Sequence, residues 1–175
     1  MKFHIIEQDF FRVQFEYRKA VGVMDETKET FVSSYLLYLL AASSESASGQ
    51  FHDVVHSKGL RVPEWRVLAC LIDQDGLMTT KLASYAMCEQ SRMSRILDQM
   101  QTKDLIRRHT GEGDKRRVTI HLTDKGRGLA MELVDLARNH EAKLLALLKE
   151  TDANRLKPAL QTLLAVLSRQ GQDVF

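Results

Sequence analysis

The stretch from Leu82 to Gly126 decides the fold of this chain. It reads L-A-S-Y-A-M-C-E-Q-S-R-M-S-R-I-L-D-Q-M-Q-T-K-D-L-I-R-R-H-T-G-E-G-D-K-R-R-V-T-I-H-L-T-D-K-G. Up to Asp104 the pattern is that of a short helix, a turn and a longer helix. Beyond it, apolar residues recur at strand spacing around a glycine-containing loop, which predicts a β-hairpin. These strand residues are Leu105, Ile106, Val118, Ile120 and Leu122. The order helix, turn, helix, hairpin predicts a mainly α protein built around a winged helix-turn-helix.

The two helices of this stretch have different expected roles. The short one is predicted at Lys81 to Ala86, with Thr79 or Thr80 as its cap. The longer one, the recognition helix, is predicted at roughly 89–103. Its core face would hold Ile96, Leu97 and Met100, which leaves one polar set on the exposed N-terminal half: Gln90, Ser91, Arg92, Ser94 and Arg95.

The distribution of charge favours nucleic acid as a partner. The whole chain carries 25 Lys and Arg against 23 Asp and Glu, a formal net charge of only +2. The segment from Lys81 to Arg127, however, contains eleven basic and only six acidic residues. Positive charge is therefore concentrated on the predicted helices and hairpin, as in an electrostatic footprint for DNA.

The same residues closely resemble the MarR family of ligand-responsive transcriptional regulators, over about the last three-quarters of the chain. The family often has glycine at two positions that are Met87 and Asp104 here, at the turn before the recognition helix and at the end of that helix, where a left-handed residue is easiest. The matching motifs, in order, are Leu82-Ala83, Ser91-Arg92-Met93-Ser94-Arg95, Leu105-Ile106, Asp114-Lys115-Arg116-Arg117 and Leu122-Thr123-Asp124-Lys125-Gly126.

These residue types suit a DNA interface. Arg92 and Arg95 can pair with guanine or contact phosphate, and Gln90 can pair with adenine. The short hydroxyls of Ser91 and Ser94 suit phosphate contacts. The resemblance implies that Arg116 enters the minor groove and that Asp114 orients it, with Lys115 and Arg117 following the phosphates. The alternative is a solvated helix face and an ordinary surface hairpin.

Helices are also predicted on both sides of this stretch. Thr30 to Ala42 is apolar around most of a helix, and a serine-rich weak point separates it from a second helix at Phe51 to Ser57. A third helix, Glu64 to Gln74, has Pro63 in its first turn. After the hairpin, Thr123 caps a long helix that reaches about Leu148. A last helix carries Leu156, Leu160, Leu163, Leu164 and Leu167, and Pro158 either kinks it or marks its start.

Apolar stripes of this size require a partner, and a second copy of the chain can supply it. The resemblance implies the same homodimer, held by N- and C-terminal helices. Residues 25–175 are then the MarR-type domain, with the winged helix-turn-helix at about 60–123 and dimerisation helices at about 27–57 and 123–170. Residues 1–24 fall outside the family pattern, and the sequence does not decide whether they form an ordered structure.

The resemblance further implies a small aromatic or phenolic acid as effector, bound between the dimer helices and the DNA-binding lobe. The alternative is that these aromatic and histidine side chains belong to the core. The candidate residues are Tyr35, Tyr38, His52, His56, Trp65 and Arg66, with Arg66 or a histidine meeting a carboxylate.

Cys70 and Cys88 are too few for a disulfide framework, which indicates a reducing, cytoplasmic setting. Cys88 lies at the start of the recognition helix, where a thiol is favoured as a reactive group, so a thiol-based redox sensor is an alternative. Hydroperoxide-sensing members of the resembled family carry their reactive cysteine in the N-terminal helix, where this chain has none. A winged helix that binds another protein is a further alternative.

No phosphate loop, nucleophile elbow or metal-ligand spacing is present, so neither an enzyme nor a metal or cofactor site is expected. The longest apolar run, Tyr35 to Ala42, is far shorter than the ~20 residues that span a bilayer, and no role at a membrane is expected. The sequence therefore predicts a cytoplasmic, homodimeric DNA-binding regulator, most often a repressor, that a small effector releases from a pseudo-palindromic operator.

Overall fold

We describe residues 31–110 and 118–170 of the chain from a computed structural model. The chain divides into two compact units, Met1–Ser46 and Ala47–Phe175. The predicted extension, residues 1–24, lies outside the described residues. The helices are α1 (Phe31–Ser34), α2 (Leu36–Ser57), α3 (Val62–Asp73), α4 (Thr79–Tyr85), α5 (Gln90–Thr102), α6 (Asp124–Leu145) and α7 (Glu150–Gln170), and the strands are β1 (Leu77–Met78), β2 (Ile106–Thr110) and β3 (Val118–Leu122).

The three strands form one antiparallel sheet in the order β1-β3-β2. In the hairpin, Ile106 is opposite Leu122 and Thr110 is opposite Val118. Strand β1 was not predicted, because two residues are too few to show a period. It places Leu77 opposite Ile120 on the buried side of the sheet. Helices dominate and the sheet forms the wing, so the prediction of a mainly α winged helix-turn-helix is confirmed.

One hydrophobic core joins the end of α2 and helices α3 to α6 to the sheet. The helical and strand periods indicate the buried faces of α5 and of the hairpin. The predicted residues that are buried are Ile96, Leu97, Met100, Leu105, Ile106, Ile120 and Leu122, and Val118 is half-buried. The fully buried apolar side chains include Val55, Val67, Leu68, Leu71, Leu82, Met93, Leu97, Met100, Ile120 and Leu133.

The predicted break after Ala42 is wrong, because α2 continues from Leu36 to Ser57 without interruption. Serine and glycine are poor helix formers, but glycine costs only about 1 kcal/mol relative to alanine inside a helix. Burial of Phe51 and Val55 on the last two turns of the same helix offsets that cost. The separate helix predicted at Phe51 to Ser57 is therefore the end of α2.

The cap predicted for the short helix is also wrong. Helix α4 begins at Thr79 itself, and its N-cap is Met78, whose side chain makes no capping hydrogen bond. The reason is that Met78 already pairs with Thr119 in the sheet, so the backbone turns directly from strand into helix. Helices α3 and α5 lie within two residues of their predicted bounds, with Pro63 in the first turn of α3.

Helix α6 begins as predicted, with the hydroxyl of Thr123 accepting a hydrogen bond from the Gly126 backbone N–H at 3.0 Å. Gly126 packs against the backbone of Leu105, and a Cβ at this position would overlap the Leu105 carbonyl. Helix α6 ends at Leu145, about one turn before the predicted end at Leu148.

Helix α7 begins at Glu150, so Pro158 lies inside it rather than at its start. Its apolar residues are exposed in the single chain, and Leu164 and Leu167 expose 67% and 55% of their surface. Of the helices in residues 31–110 and 118–170, none combines the length and the hydrophobicity needed to cross a bilayer.

Candidate DNA-binding surface

The two faces of α5 are sharply different. Met93, Ile96, Leu97 and Met100 are buried and attach the helix to the core. The opposite, N-terminal half is exposed and polar, because the core residues recur every three or four positions and leave the others outside. All five predicted DNA-contacting residues of this helix lie on that exposed surface: Gln90, Ser91, Arg92, Ser94 and Arg95.

Both non-glycine residues that bracket α5 have left-handed backbones. Met87, in the turn before the helix, has a φ of 50°, and Asp104, just past its end, has a φ of 58°. These are the two positions at which the resembled family often has glycine. The turn therefore keeps the left-handed geometry without the residue that adopts it most easily.

The C-terminal end of α5 is held by an ion pair between the partly exposed Lys103 and the buried Glu64. Lys103 Nζ lies 3.0 and 3.1 Å from the two carboxylate oxygens of Glu64 on α3, and 3.1 Å from the Gly59 carbonyl. Glu64 also accepts a hydrogen bond from the Arg61 backbone N–H at 2.7 Å. Glu64 is fully buried, and no other charged side chain among the described residues is buried in the core. Sequence reasoning missed this pair, although a glutamate at the third position of a helix is a signal for capping.

The charge of Glu64 is favoured by its partners. Burial by itself would raise the pKa of this carboxyl, but the hydrogen bond from the Arg61 N–H and those from the Lys103 and Arg61 side chains outweigh burial. The pKa of Glu64 therefore lies below its ordinary value, and the group stays ionised at neutral pH.

The wing is tied to the recognition helix by Arg108 on β2. Its Nη2 lies 2.7 Å from Asp98 Oδ1 and 3.5 Å from the Ser94 carbonyl, both on α5. Sequence reasoning did not single out Arg108, because its partner lies on another element. The predicted wing residues Asp114, Lys115, Arg116 and Arg117 lie outside the described residues.

Asp75 joins the other side of the wing to α3 and α6. Its Oδ1 accepts a hydrogen bond from the Leu122 backbone N–H at 2.9 Å, and its Oδ2 lies 3.2 Å from Arg127. His121 on β3 also approaches this carboxylate, at 3.6 Å, and its other ring nitrogen lies 3.0 Å from the Thr119 hydroxyl. The strand and the first turn of α6 are thus held by one side chain.

The predicted effector residues of the second unit lie on α2 and α3. The Trp65 ring meets the Phe51 ring edge-on with centroids 5.5 Å apart, and the His140 ring on α6 lies 5.7 Å from the Phe51 ring. Arg66, the next residue on α3, lines a surface depression of about 280 Å³ together with Met87 and Arg92. His52 and His56 lie on α2, half-buried and exposed respectively.

His140 lies on α6 beside the Phe51 ring. Its Nε2 is buried and has no hydrogen-bond partner among the described residues, and burial, followed by the nearby charge of Lys143, lowers the pKa of the ring. The imidazole is therefore neutral near pH 7.

The remaining two predicted effector residues belong to the first unit. Tyr35 stacks on Phe31, with ring centroids 5.0 Å apart, and exposes 42% of its surface. Tyr38 lies on the first turn of α2 and is half-buried.

Both cysteines are free and half-buried. Burial, and then the charge of Asp73, raise the pKa of the Cys70 thiol, which disfavours its reactive thiolate. The Cys88 thiol faces the Glu89 carbonyl at 3.6 Å. Within residues 31–110 and 118–170, His, Cys, Asp and Glu side chains form no group able to hold a metal ion.

Comparison with known proteins agrees with this geometry. The MarR family model matches residues 60–118. The organic hydroperoxide resistance transcriptional regulator of Bacillus subtilis is 28% identical over 142 residues, which cover 80% of this chain and 94% of that protein. A MarR family protein from Mycobacterium tuberculosis, solved in complex with salicylic acid, is 25% identical with a TM-score of 0.62, and the match covers 74% of this chain and 96% of that one.

A crystal structure of a MarR family transcriptional regulator from Silicibacter pomeroyi DSS-3 shows a higher identity. It is 58% identical with a TM-score of 0.73, and the match covers 79% of this chain and 99% of that chain. With an identity this high over nearly all of that regulator, and with the winged helix-turn-helix geometry above, the chain belongs to the MarR family of transcriptional regulators.

Proposed function

We propose that this protein is a homodimeric repressor that binds a pseudo-palindromic operator and is released from it by a small aromatic or phenolic acid. One observation supports the DNA-binding part of this proposal most directly. The N-terminal half of α5 exposes two arginines, two serines and a glutamine, while the opposite face is buried in the core. A helix held in this way presents its polar side chains to a major groove as a rigid unit.

The proposed base contacts come from Arg92, Arg95 and Gln90, whose side chains can form two hydrogen bonds to guanine or adenine. Ser91 and Ser94 contact phosphates where the backbone of the duplex comes close. From the sequence motif we assign Arg116 to the minor groove, oriented by Asp114, and Lys115 and Arg117 to phosphates. Arg108 supports these contacts by joining β2 to α5.

Two sets of exposed apolar side chains support the homodimer. Each of the two compact units has one: the first on α1 and the start of α2, including Phe31, Leu36 and Leu37, and the second on α7. Exposed apolar patches of this kind mark association surfaces, and a two-fold dimer is the commonest solution. A two-fold protein reads two half-sites about one helical turn apart, which is why the operator is proposed to be pseudo-palindromic.

The effector is proposed from the family and from the aromatic group in the second unit. The M. tuberculosis relative is named as a complex with salicylic acid. In this chain the Phe51, Trp65 and His140 rings lie together in the second unit, and we assign His52, His56 and Arg66 as partners for a carboxylate. Tyr35 and Tyr38, in the first unit, stay predictions from the sequence. An effector that binds better to one spacing of the two recognition helices shifts the dimer toward that spacing and away from the operator.

The test begins with duplexes selected from a random pool by the wild-type protein. Affinity is then measured by fluorescence anisotropy for Arg92→Ala and Arg95→Ala. Each substitution is expected to weaken binding by about 1–3 kcal/mol, the contribution of a two-hydrogen-bond base contact. If the lost contact is to phosphate, the salt slope falls by about one unit instead.

The matched control is Arg138→Ala, because Arg138 is an exposed arginine on α6 that pairs with Asp135 at 3.5 Å. This variant should bind DNA as tightly as the wild type. Equal affinity of the wild type, Arg92→Ala and Arg95→Ala would instead favour a winged helix that binds another protein.

A thiol sensor is the second candidate, favoured by the name of the B. subtilis relative. Cys88 would have to carry it, since it lies at the start of the recognition helix and the pKa of Cys70 is raised. An organic hydroperoxide and salicylate are therefore each added to the bound duplex. Release by salicylate from both the wild type and Cys88→Ser supports our proposal, whereas release by hydroperoxide from the wild type alone supports the thiol sensor.

A further inference from the structure

Met87 has a backbone conformation that its side chain disfavours. It lies in the turn between α4 and α5 with a φ of 50°, in the left-handed region. Two hydrogen bonds hold the turn: Met87 N–H donates to the Ser84 carbonyl at 3.1 Å, and Cys88 N–H donates to the Ala83 carbonyl at 2.9 Å. Both bonds are made by the backbone, so glycine would form the same turn with less strain.

The core gives no reason for a large apolar residue here. Met87 exposes 76% of its surface, whereas the preceding Ala86 fills the core side of the turn and is buried. Asp104, the other left-handed residue, is different because a short polar side chain tolerates this region comparatively well. A strained residue whose side chain does not stabilise the fold suggests a role at a functional site.

The surroundings of Met87 are mainly basic. The side chain borders the same surface depression as Arg92, a proposed DNA contact of α5, Arg66 of α3 and one acidic residue, Glu89. Tyr85, two residues earlier, exposes 52% of its surface, and Lys81 lies over its ring at 5.6 Å. The turn thus offers an exposed apolar side chain among three cations and one carboxylate, next to the N-terminus of the recognition helix.

A DNA major groove matches this combination of properties. Its phosphates are anionic, and the 5-methyl group of thymine is the apolar group that it displays at the base edges. We propose that Met87 reads a thymine methyl group in each half-site, beside the base or phosphate that Arg92 contacts. This inference rests on the proposed DNA-binding function and adds one specificity-determining residue to it.

The test uses the duplex selected by the wild type and a series in which one thymine at a time, in both half-sites, is replaced by deoxyuridine. Loss of one buried methyl group lowers the affinity for DNA about fourfold. Loss of one methyl group in each of the two half-sites should therefore lower the affinity roughly 15-fold. One thymine position is expected to show this penalty with the wild type. With Met87→Gly the penalty at that position should disappear, while the melting temperature of the protein stays the same or rises.

Two further variants separate base reading from turn geometry. Met87→Asn keeps a residue that tolerates the left-handed region but removes the apolar contact, so it should also lose the penalty. Asp104→Gly relaxes the other left-handed residue, at the far end of the same helix, and should keep the full penalty.

The outcomes distinguish this inference from the function on which it rests. A wild type that selects no duplex overturns the DNA-binding proposal itself. A wild type that binds, but shows no deoxyuridine penalty or the same penalty as Met87→Gly, leaves DNA binding intact and overturns the role of Met87.

Discussion

At the scale of single residues, Thr123 and Gly126 together form the cap at the start of α6 and fix its packing against the chain at Leu105. Thr123 caps the helix through the Gly126 N–H and donates its hydroxyl proton to the Asp104 carbonyl at 2.7 Å. The Thr123 N–H also donates to the Leu105 carbonyl, at 3.2 Å. These bonds draw the first turn of α6 onto the backbone at Leu105, and only glycine fits at position 126.

Gly126→Ala is therefore expected to destabilise the protein. Its Cβ would overlap the Leu105 carbonyl, and relieving such overpacking typically costs about 1–3 kcal/mol. Gly128→Ala is the matched control, two residues along the same helix, where a Cβ meets nothing within 4 Å. It should stabilise by about 0.5–1 kcal/mol through helix propensity. Urea unfolding at one protein concentration checks both, and equal effects would contradict the packing argument.

At the scale of elements, polar contacts fix the C-terminal end of the recognition helix to two other helices. Lys103 contacts Glu64 on α3, and the Lys103 carbonyl accepts a hydrogen bond from Lys125 on α6 at 2.8 Å. These contacts add to the burial of Met93, Ile96, Leu97 and Met100 along the same helix. Because a buried carboxylate needs its partners, the pair makes the position of α5 depend on the charge of Glu64.

Glu64→Gln removes that charge while leaving an oxygen for the Arg61 N–H. A loss of about 1–2 kcal/mol is expected at pH 7, since Lys103 is partly exposed and its interaction is screened by solvent. Because the folded pKa of Glu64 is lowered, its contribution is present above the unfolded pKa of about 4.3 and is lost as pH falls through the folded value. The stability difference between wild type and variant should therefore narrow below about pH 4.

The control for this pH dependence is Glu132→Gln, whose carboxylate is half-exposed and pairs with Lys58 at 2.5 Å. An exposed pair of this kind contributes about 0–1 kcal/mol, so a small effect is expected. If the difference in free energy of unfolding between the wild type and Glu64→Gln stayed constant between pH 7 and pH 3, the ionisation of Glu64 would be excluded as its cause.

At the scale of the whole molecule, the exposed leucines of α7 argue for assembly. Leu160→Lys combined with Leu164→Lys places two charges on this surface without touching the core of the single chain. If the surface is buried in a dimer, the dissociation constant should rise at least about 100-fold, since each buried anchor contributes about 2 kcal/mol or more. Sedimentation equilibrium measures the change.

Thr162→Lys supplies the matched control, because Thr162 is exposed and lies on the opposite side of α7. This variant should remain dimeric. A double leucine variant that assembles as the wild type does would show that α7 is not part of the interface.

Much of the fold was predictable because it depends on contacts between near neighbours in the chain. Helical and strand periods identified the buried faces of α5 and the hairpin, and the family motif located the left-handed Met87 and Asp104. The period also placed the exposed face of α5, since core residues leave only the remaining positions for solvent. The break predicted in α2 failed because burial of Phe51 and Val55 outweighed local helix propensity.

The sequence by itself thus determined the order from α3 through α4 and α5 to the hairpin and α6, apart from β1, together with the face of α5 that carries Arg92 and Arg95 and the cap at Thr123. Only the tertiary structure decided which distant residues meet: Lys103 with Glu64, 39 positions apart, and Asp75 with Leu122, 47 positions apart. A period records the direction of each side chain relative to its own helix or strand. The pairing of two such faces depends on how the whole core closes, and no local pattern contains that information.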